Sequence, residues 1–291
     1  MLEGTILKGY SGFYYVKYEE KTYECSLRGK NRLKKAKFLP GDNVAFEVLT
    51  DGSGVIANIL PRRNELIRPP IANVEQVIIV SSLNPEPDLW LIDRLTILAL
   101  WNDVQPVICF NKADQVSEES ISLYQAIYIS AQFPVIITST KDGRGIDKLK
   151  AVLKNRISVV AGASGVGKSS LLNAVQPGLK LQTGEVSQKL KRGRHTTRHV
   201  ELLPLSSGGL VADTPGFSSL NLPSEIIREE LSSLFPDFQE FRENCKFSTC
   251  QHRVEPKCSV REAVSEGQLS VNRYNNYLAF LDEVIKQERS F

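Results

Sequence analysis

The chain has 291 residues, 42% of them hydrophobic, and a formal net charge of +3. That is apolar material for two or three cores, yet no stretch reaches the roughly 18 apolar residues of a membrane span. The N-terminal MLEGTILKGY lacks the zones of a secretory signal, so the reading is a soluble cytoplasmic protein without a membrane partner, expected to be a monomer.

Charge is uneven along the chain. The excess of Lys and Arg over Asp and Glu is +4 in residues 1–68, +2 in 69–222 and −3 in 223–291, so a polyanion-binding face belongs at the N-terminal end. Residues 1–60 carry about five short strand candidates, β-branched and aromatic, with turns at Pro40-Gly41-Asp42 and at Asp51 to Gly54. A small β-barrel of the OB type accounts for them. Between two of its strands, RGKNRLKKAK places Arg28, Lys30, Arg32, Lys34, Lys35 and Lys37 together, either a solvated charged loop or an RNA contact. PRRNELIRPP then reads as a linker stiffened by its tandem prolines, ending a first domain over 1–68.

From residue 71 apolar strand candidates alternate with helical segments, as in a doubly wound α/β domain over 69–222. VEQVIIVSSL, QPVICFNKAD, PVIITST, ISVVAGASG and GGLVADTPG are its strands, and each of its candidate functional loops follows a strand C-terminus. Residues 223–291 turn mainly helical, starting at Pro223 and Ser224, and enclose a cluster of Cys and His.

GASGVGKS fits the phosphate-loop pattern G-x-x-x-x-G-K-[ST] in full, with a strand before it and a helix after it. Gly162, Ala163, Ser164, Gly165, Val166, Gly167, Lys168, Ser169 and Ser170 would wrap phosphates with backbone N–H groups. Lys168 would reach the β and γ phosphates, and the Ser169 hydroxyl would hold Mg²⁺. DTPG follows a buried strand, so Asp213 suits the Mg²⁺ and Gly216 can offer its N–H to the γ-phosphate.

FNKAD has the N-K-x-D form. Asp114 would accept the two donors that guanine offers and adenine lacks, Asn111 would face O6, and the Lys112 stem would line the base plane beside Ala113. TSTK adds Ser139 and Thr140 as a fifth loop near the base. Here the base loop precedes the phosphate loop, a circular permutation of the usual GTPase order. The chain beyond DTPG therefore runs straight into the C-terminal segment, which gives γ-phosphate status a route to that segment.

CKFSTCQHRVEPKC supplies Cys245, Cys250, His252 and Cys258. Three thiolates and an imidazole make a closed tetrahedral set, so one structural Zn²⁺ is expected. Cys25 and Cys109 stand apart and read as buried thiols.

Together the permuted N-K-x-D, the phosphate loop, the N-terminal barrel and the Cys/His cluster resemble the RsgA (YjeQ/YloQ) family over the whole chain. The resemblance implies a GTPase that binds the 30S ribosomal subunit through 16S rRNA, assists its late maturation, and hydrolyses GTP with Mg²⁺ faster in its presence. KLKRGRHTTRHVEL would be the switch, with Thr197 (rather than Thr196) closing on Mg²⁺. Phe217 stands where many GTPases carry a water-orienting Gln, and the family points to His195 as the substitute. A structural or RNA-contacting role for His195 stays open. Gly165 replaces the Asn through which some Gln-lacking GTPases bind K⁺. An alternative from the same residues is a GTP-gated RNA-binding module acting on a non-ribosomal RNA.

Overall fold

Five strands near the N-terminus close on themselves. β1 (Leu2–Tyr10), β2 (Phe13–Tyr18), β3 (Lys21–Leu27), β4 (Asn43–Val48) and β5 (Gly54–Ile59) form a barrel ordered β1-β2-β3-β5-β4. β1 pairs antiparallel with both β2 and β4, and β3 pairs parallel with β5, which is the expected OB-type barrel. Closure leaves no free sheet edge. Ile6, Val16, Cys25, Val44, Phe46 and Ile56 fill the interior with Phe38 over them. Burial pushes the Cys25 thiol up to about 11, so it packs as an inert apolar group.

The computed structural model describes residues 1–29, 37–67, 69–179, 200–213 and 221–290, with only the backbone of Asp213. The chain divides into two compact units. One takes in Met1–Val77, Asn102–Val104 and Ile146–Ser218, and the other Ile78–Trp101, Gln105–Gly145 and Ser219–Phe291.

In the first unit the supposed linker is itself folded. β6 (Glu65–Ile67) and β7 (Pro70–Ala72) make a two-stranded ribbon, with proline tolerated at the first residue of a strand. The ribbon is tied to the barrel's 40–42 turn: Ala72 N–H donates to the Pro40 carbonyl at 2.9 Å, and Asn73 Nδ2 to the Gly41 carbonyl at 2.8 Å. Arg62 forks onto the fully buried Asp42 at 2.6 and 2.9 Å. The tandem prolines do not leave this segment irregular, because these buried polar bonds hold it. α3 (Ile146–Leu153), β11 (Ile157–Ala161), α4 (Lys168–Val175), β12 (Leu203–Pro204) and β13 (Leu210–Asp213) complete the unit, with β11 parallel and β12 antiparallel to β13.

In the second unit β8 (Gln76–Ser82), of which the last five residues belong here, is buried throughout. β9 (Gln105–Asn111) is nearly so, and β10 (Val135–Ile137) runs parallel to β9 in the order β10-β9-β8. Continuous apolar runs of this kind are what strands covered on both faces require. α1 (Leu89–Trp101) is apolar almost all round and buries Asp93 and Arg94 with it. α2 (Glu118–Ser130) starts on a Ser117 cap, with Glu118 and Glu119 in its first turn.

The C-terminal part of this unit is short helical turns between residues 228 and 242, then α5 (Ser259–Ser265) and the long α6 (Val271–Glu288). Arg273 on α6 is the residue around which it packs. Nε and Nη2 donate to Asp237 at 2.9 and 2.8 Å, and Nη1 to Asp93 of α1. All three side chains are at most 2% exposed, and Asn276 donates to the other Asp93 oxygen at 2.7 Å. Desolvation opposes the Arg273 charge, but the two carboxylates overcome it and keep it cationic. Nearby, Arg94 lies 4.2 Å from the Trp90 ring and forks onto Glu283 of α6.

Candidate nucleotide site and metal centre

β11 ends at Ala161 and the chain turns through Gly162 to Gly167 into α4, so the strand–loop–helix context of a phosphate loop is present. Gly162, Gly165 and Gly167 have φ of 138°, 79° and 99°, values that a side chain would strain. Lys168 Nζ donates to the carbonyls of Gly162 and Ala163 at 2.9 and 2.7 Å, bridging the mouth of its own loop. An ammonium there is placed to exchange those carbonyls for phosphate oxygens. Ala163, Ser164, Gly165 and Ser170 are exposed, Val166 is buried under the loop, and Ser169 is half-buried at the helix start.

In the second unit the base loop and the fifth loop meet. Asn111 closes β9 as a 2% exposed residue, and its Oδ1 accepts from Thr138 Oγ1 at 3.2 Å. Lys112 takes a left-handed conformation (φ 62°), and its Nζ lies 3.4 Å from the Asn84 carbonyl. Ala113 N–H donates to the Thr138 carbonyl at 3.1 Å. Asp114 Oδ1 accepts from Ser139 Oγ at 2.8 Å, which aims the carboxylate and leaves Oδ2 for a ligand, with Lys141 Nζ 4.0 Å from it. Ser139 is buried and Thr140 exposed. Arg144 pins this loop to α2 through a two-pronged pair with Glu118 at 2.6 and 2.9 Å. Thr138 has no signal of its own in the sequence. It matters because it touches Asn111, Phe110 and Cys109 at once.

Asp213 ends β13 opposite Val160, so its backbone stands at the expected strand terminus. Gly216, Thr197 and His195 lie outside the described residues, as do Lys30, Arg32, Lys34 and Lys35. Arg28 and Lys37, flanking that basic stretch, are exposed on the barrel; Lys37 lies 3.6 Å from Glu65.

Cys245, Cys250, His252 and Cys258 converge, with all four ligand atoms within 4.8 Å of one another. His252 Nδ1 is 3.6 and 3.5 Å from the Cys245 and Cys258 sulfurs, which are 4.0 Å apart. A zinc tetrahedron with Zn–S of about 2.3 Å and Zn–N of about 2.0 Å has edges of about 3.5–3.8 Å, so these residues form a zinc-binding cluster. Burial drives the His252 imidazole down to about 4, leaving its lone pair free, and drives the Cys250 thiol up to about 12 in the metal-free cluster. A metal must therefore displace thiol protons as it binds.

The ligand loop is shaped by groups that sequence reading did not single out. The Glu255 carboxylate accepts from the N–H groups of Gln251, Arg253 and Val254 at 2.9, 2.8 and 3.0 Å. Tyr277 and Tyr274 hydroxyls hold the carbonyls of Gln251 and His252, each at 2.8 Å.

Comparison with known proteins follows the same lines. The RsgA GTPase family model matches residues 59–223, and the RsgA N-terminal domain model matches residues 3–56. The chain belongs to the RsgA GTPase family. A Moorella thermoacetica protein named small ribosomal subunit biogenesis GTPase RsgA is 52% identical over 291 residues, the full length of both chains. A protein of the same name from Carboxydothermus hydrogenoformans is 49% identical over 99% of this chain and 100% of its own. Among solved structures, that of YloQ, described as a circularly permuted GTPase, superposes with a TM-score of 0.84 at 41% identity, covering 99% of this chain and 96% of YloQ. YjeQ from Thermotoga maritima gives 0.81 at 39% identity over 98% of each chain. The loop order of this chain, base loop before phosphate loop, agrees with that description of YloQ.

Proposed function

We propose that the chain is a GTPase that binds the small ribosomal subunit and assists its late maturation, hydrolysing GTP to GDP and phosphate faster when the subunit is bound. The observation that carries the guanine specificity is Asp114, whose carboxylate is oriented by Ser139 with one oxygen left for the base. The ribosomal part is supported by full-length relatives that bear that name.

In this reading GTP is held by Asn111, Lys112, Ala113, Asp114, Ser139 and Thr140 at the base and by residues 162–170 at the phosphates. Ser169, Thr197 and Asp213 would hold the Mg²⁺, which supplies charge neutralisation at the β and γ oxygens. Lys168 adds a positive charge there, Gly216 an N–H, and His195 orients the attacking water. The Cys/His cluster holds one structural Zn²⁺. Arg28, Lys30, Arg32, Lys34, Lys35 and Lys37 contact 16S rRNA. The chain then divides into 1–68, 69–222 and 223–291; the end of the GTPase family model at residue 223 agrees with the second boundary, while its start at residue 59 lies ahead of the first. A cytoplasmic monomer is part of this reading; no described helix is long and apolar enough to cross a membrane.

GTP turnover measured with and without purified 30S particles tests the proposal. Stimulation that disappears as salt rises is expected. Equal rates at low salt would refute the ribosomal part.

A further inference from the structure

Two loops leave neighbouring strands side by side. β8 and β9 are adjacent in the sheet, and where they end Leu83 N–H donates to the Asn111 carbonyl at 2.9 Å. The loop after β8 is thereby laid along Asn111-Lys112-Ala113-Asp114, at the strand ends where ligands of open α/β sheets bind. It carries no nucleotide-binding motif of its own.

One buried hydroxyl fixes the shape of that loop. Ser82, 3% exposed, closes β8; its Oγ donates to the Asn84 carbonyl at 2.5 Å and accepts from the Asn84 N–H at 3.2 Å. A second tie comes from the Asn84 side chain, whose Nδ2 donates to Gln115 Oε1 at 3.2 Å. Gln115 N–H in turn donates to the Lys112 carbonyl at 3.0 Å. A carbonyl has two lone pairs, and that of Asn84 accepts from both Ser82 Oγ and Lys112 Nζ, the latter at 3.4 Å. A free lysine side chain spreads over many rotamers, and that freedom is lost when a ligand packs on its stem. Here the stem is held at both ends, by a backbone at φ 62° and by the ammonium on the Asn84 carbonyl.

We propose that Ser82 is a positioning residue for nucleotide binding: it fixes the Asn84 carbonyl, which anchors Lys112 so that the lysine stem stands as one wall of the guanine site before the nucleotide arrives. The proposal rests on the reading of Lys112 as the residue whose stem lines the base plane. It gives the loop after β8 a part in the site that no local sequence pattern marks. The anchor acts on the face of the base, whereas Asp114 reads its edge. Affinity should therefore depend on Ser82, and base preference should not.

The test is a fluorescence titration of the full chain with N-methylanthraniloyl-GDP, with unlabelled GDP and IDP as competitors. Ser82→Ala should weaken GDP and IDP together by about three- to tenfold, leaving their ratio as in the parent. In GTP turnover it should raise KM and leave kcat unchanged, since no atom near the phosphates moves. In a Lys112→Ala background there is no stem left to hold, so Ser82→Ala should change affinity there by less than about twofold. A melting curve checks that Ser82→Ala folds. Asn84→Ala, which frees the same loop from Gln115 and alters only an exposed side chain, repeats the cycle without touching a buried atom. If Lys112→Ala binds as the parent does, the base-lining reading of Lys112 falls, and this proposal with it. If Lys112→Ala loses affinity while both loop variants bind as the parent does, or lose the same factor in either background, the role of Lys112 stands and the anchor is refuted.

Discussion

Replacing Arg273 by methionine keeps much of the side-chain volume and removes the cation shared by Asp93 and Asp237. All three groups are at most 2% exposed. A charge pair at about 4 Å is worth about 4 kcal/mol at an effective dielectric near 20, and Arg273 serves two carboxylates. Against this stands the desolvation that the guanidinium no longer suffers. Removing one partner of a buried ion pair costs about 3–5 kcal/mol, because the remaining charge is buried and uncompensated. The expected loss is in that range, with a fall in melting temperature on the order of 10 °C.

The pH dependence sharpens the argument. Burial already raises the Asp93 carboxyl, and Arg273 pulls it back down. Without Arg273 it rises further, so the folded variant binds more protons than the folded parent. Stability relative to the parent should therefore recover as pH falls from about 8 to about 5, and the gap widen again in alkali. Urea titration followed by intrinsic fluorescence suits the measurement, since both tryptophans, Trp90 and Trp101, lie on α1 of the same unit. A variant within about 1 kcal/mol of the parent at both pH values would refute the claim that this cation holds α1 and α6 together.

Other outcomes follow from the same geometry. Asp114→Asn should cut GTP affinity by at least about a hundredfold and transfer preference to xanthosine triphosphate, measured by competition binding; an unchanged base preference would overturn the guanine assignment. Cys258→Ser should lower bound zinc from about one per chain toward none, read by atomic absorption after desalting, and make the C-terminal segment sensitive to proteases. Gly41→Ala should destabilise the barrel by more than about 1 kcal/mol in chemical denaturation. At Gly41 φ is +89°, and a Cβ would sit 2.0 Å from the Ala72 carbonyl oxygen.

The loops that bind nucleotide were legible because their chemistry is local. A phosphate loop needs glycines, a lysine and a hydroxyl at fixed spacing, and N-K-x-D needs four neighbouring residues, so Gly162 to Ser169 and Asn111 to Asp114 could be read one after another. The Cys/His cluster was legible for the same reason, its four ligands lying within fourteen residues. The barrel is legible in its turn residues and its short β-branched and aromatic strands; the pairings that close it are set by residues far apart in the chain. What escaped depends on residues far apart in the chain. Asp93 and Arg273 are 180 positions apart and meet only because α6 packs on α1. Thr138 looks like any strand-end threonine until β10 sets it beside Asn111. The ribbon of β6 and β7 reads in sequence as a stiff spacer, because nothing near it announces that Asp42 and Asn73 will bond across to Arg62 and Gly41.

Glu255 has a consequence for how the metal centre behaves over time. A single carboxylate gathers three amide protons from the four residues that precede it, and two tyrosines grip the carbonyls of Gln251 and His252. The ligand loop is thus a mould whose shape is set before any ion arrives. An ion that accepts a tetrahedron drops in without rearranging its host, whereas Ni²⁺ or Cu²⁺, which favour square-planar or tetragonal sites, meets a mould cut for another geometry. Selectivity for the metal is in this way written into amide bonds that never touch it.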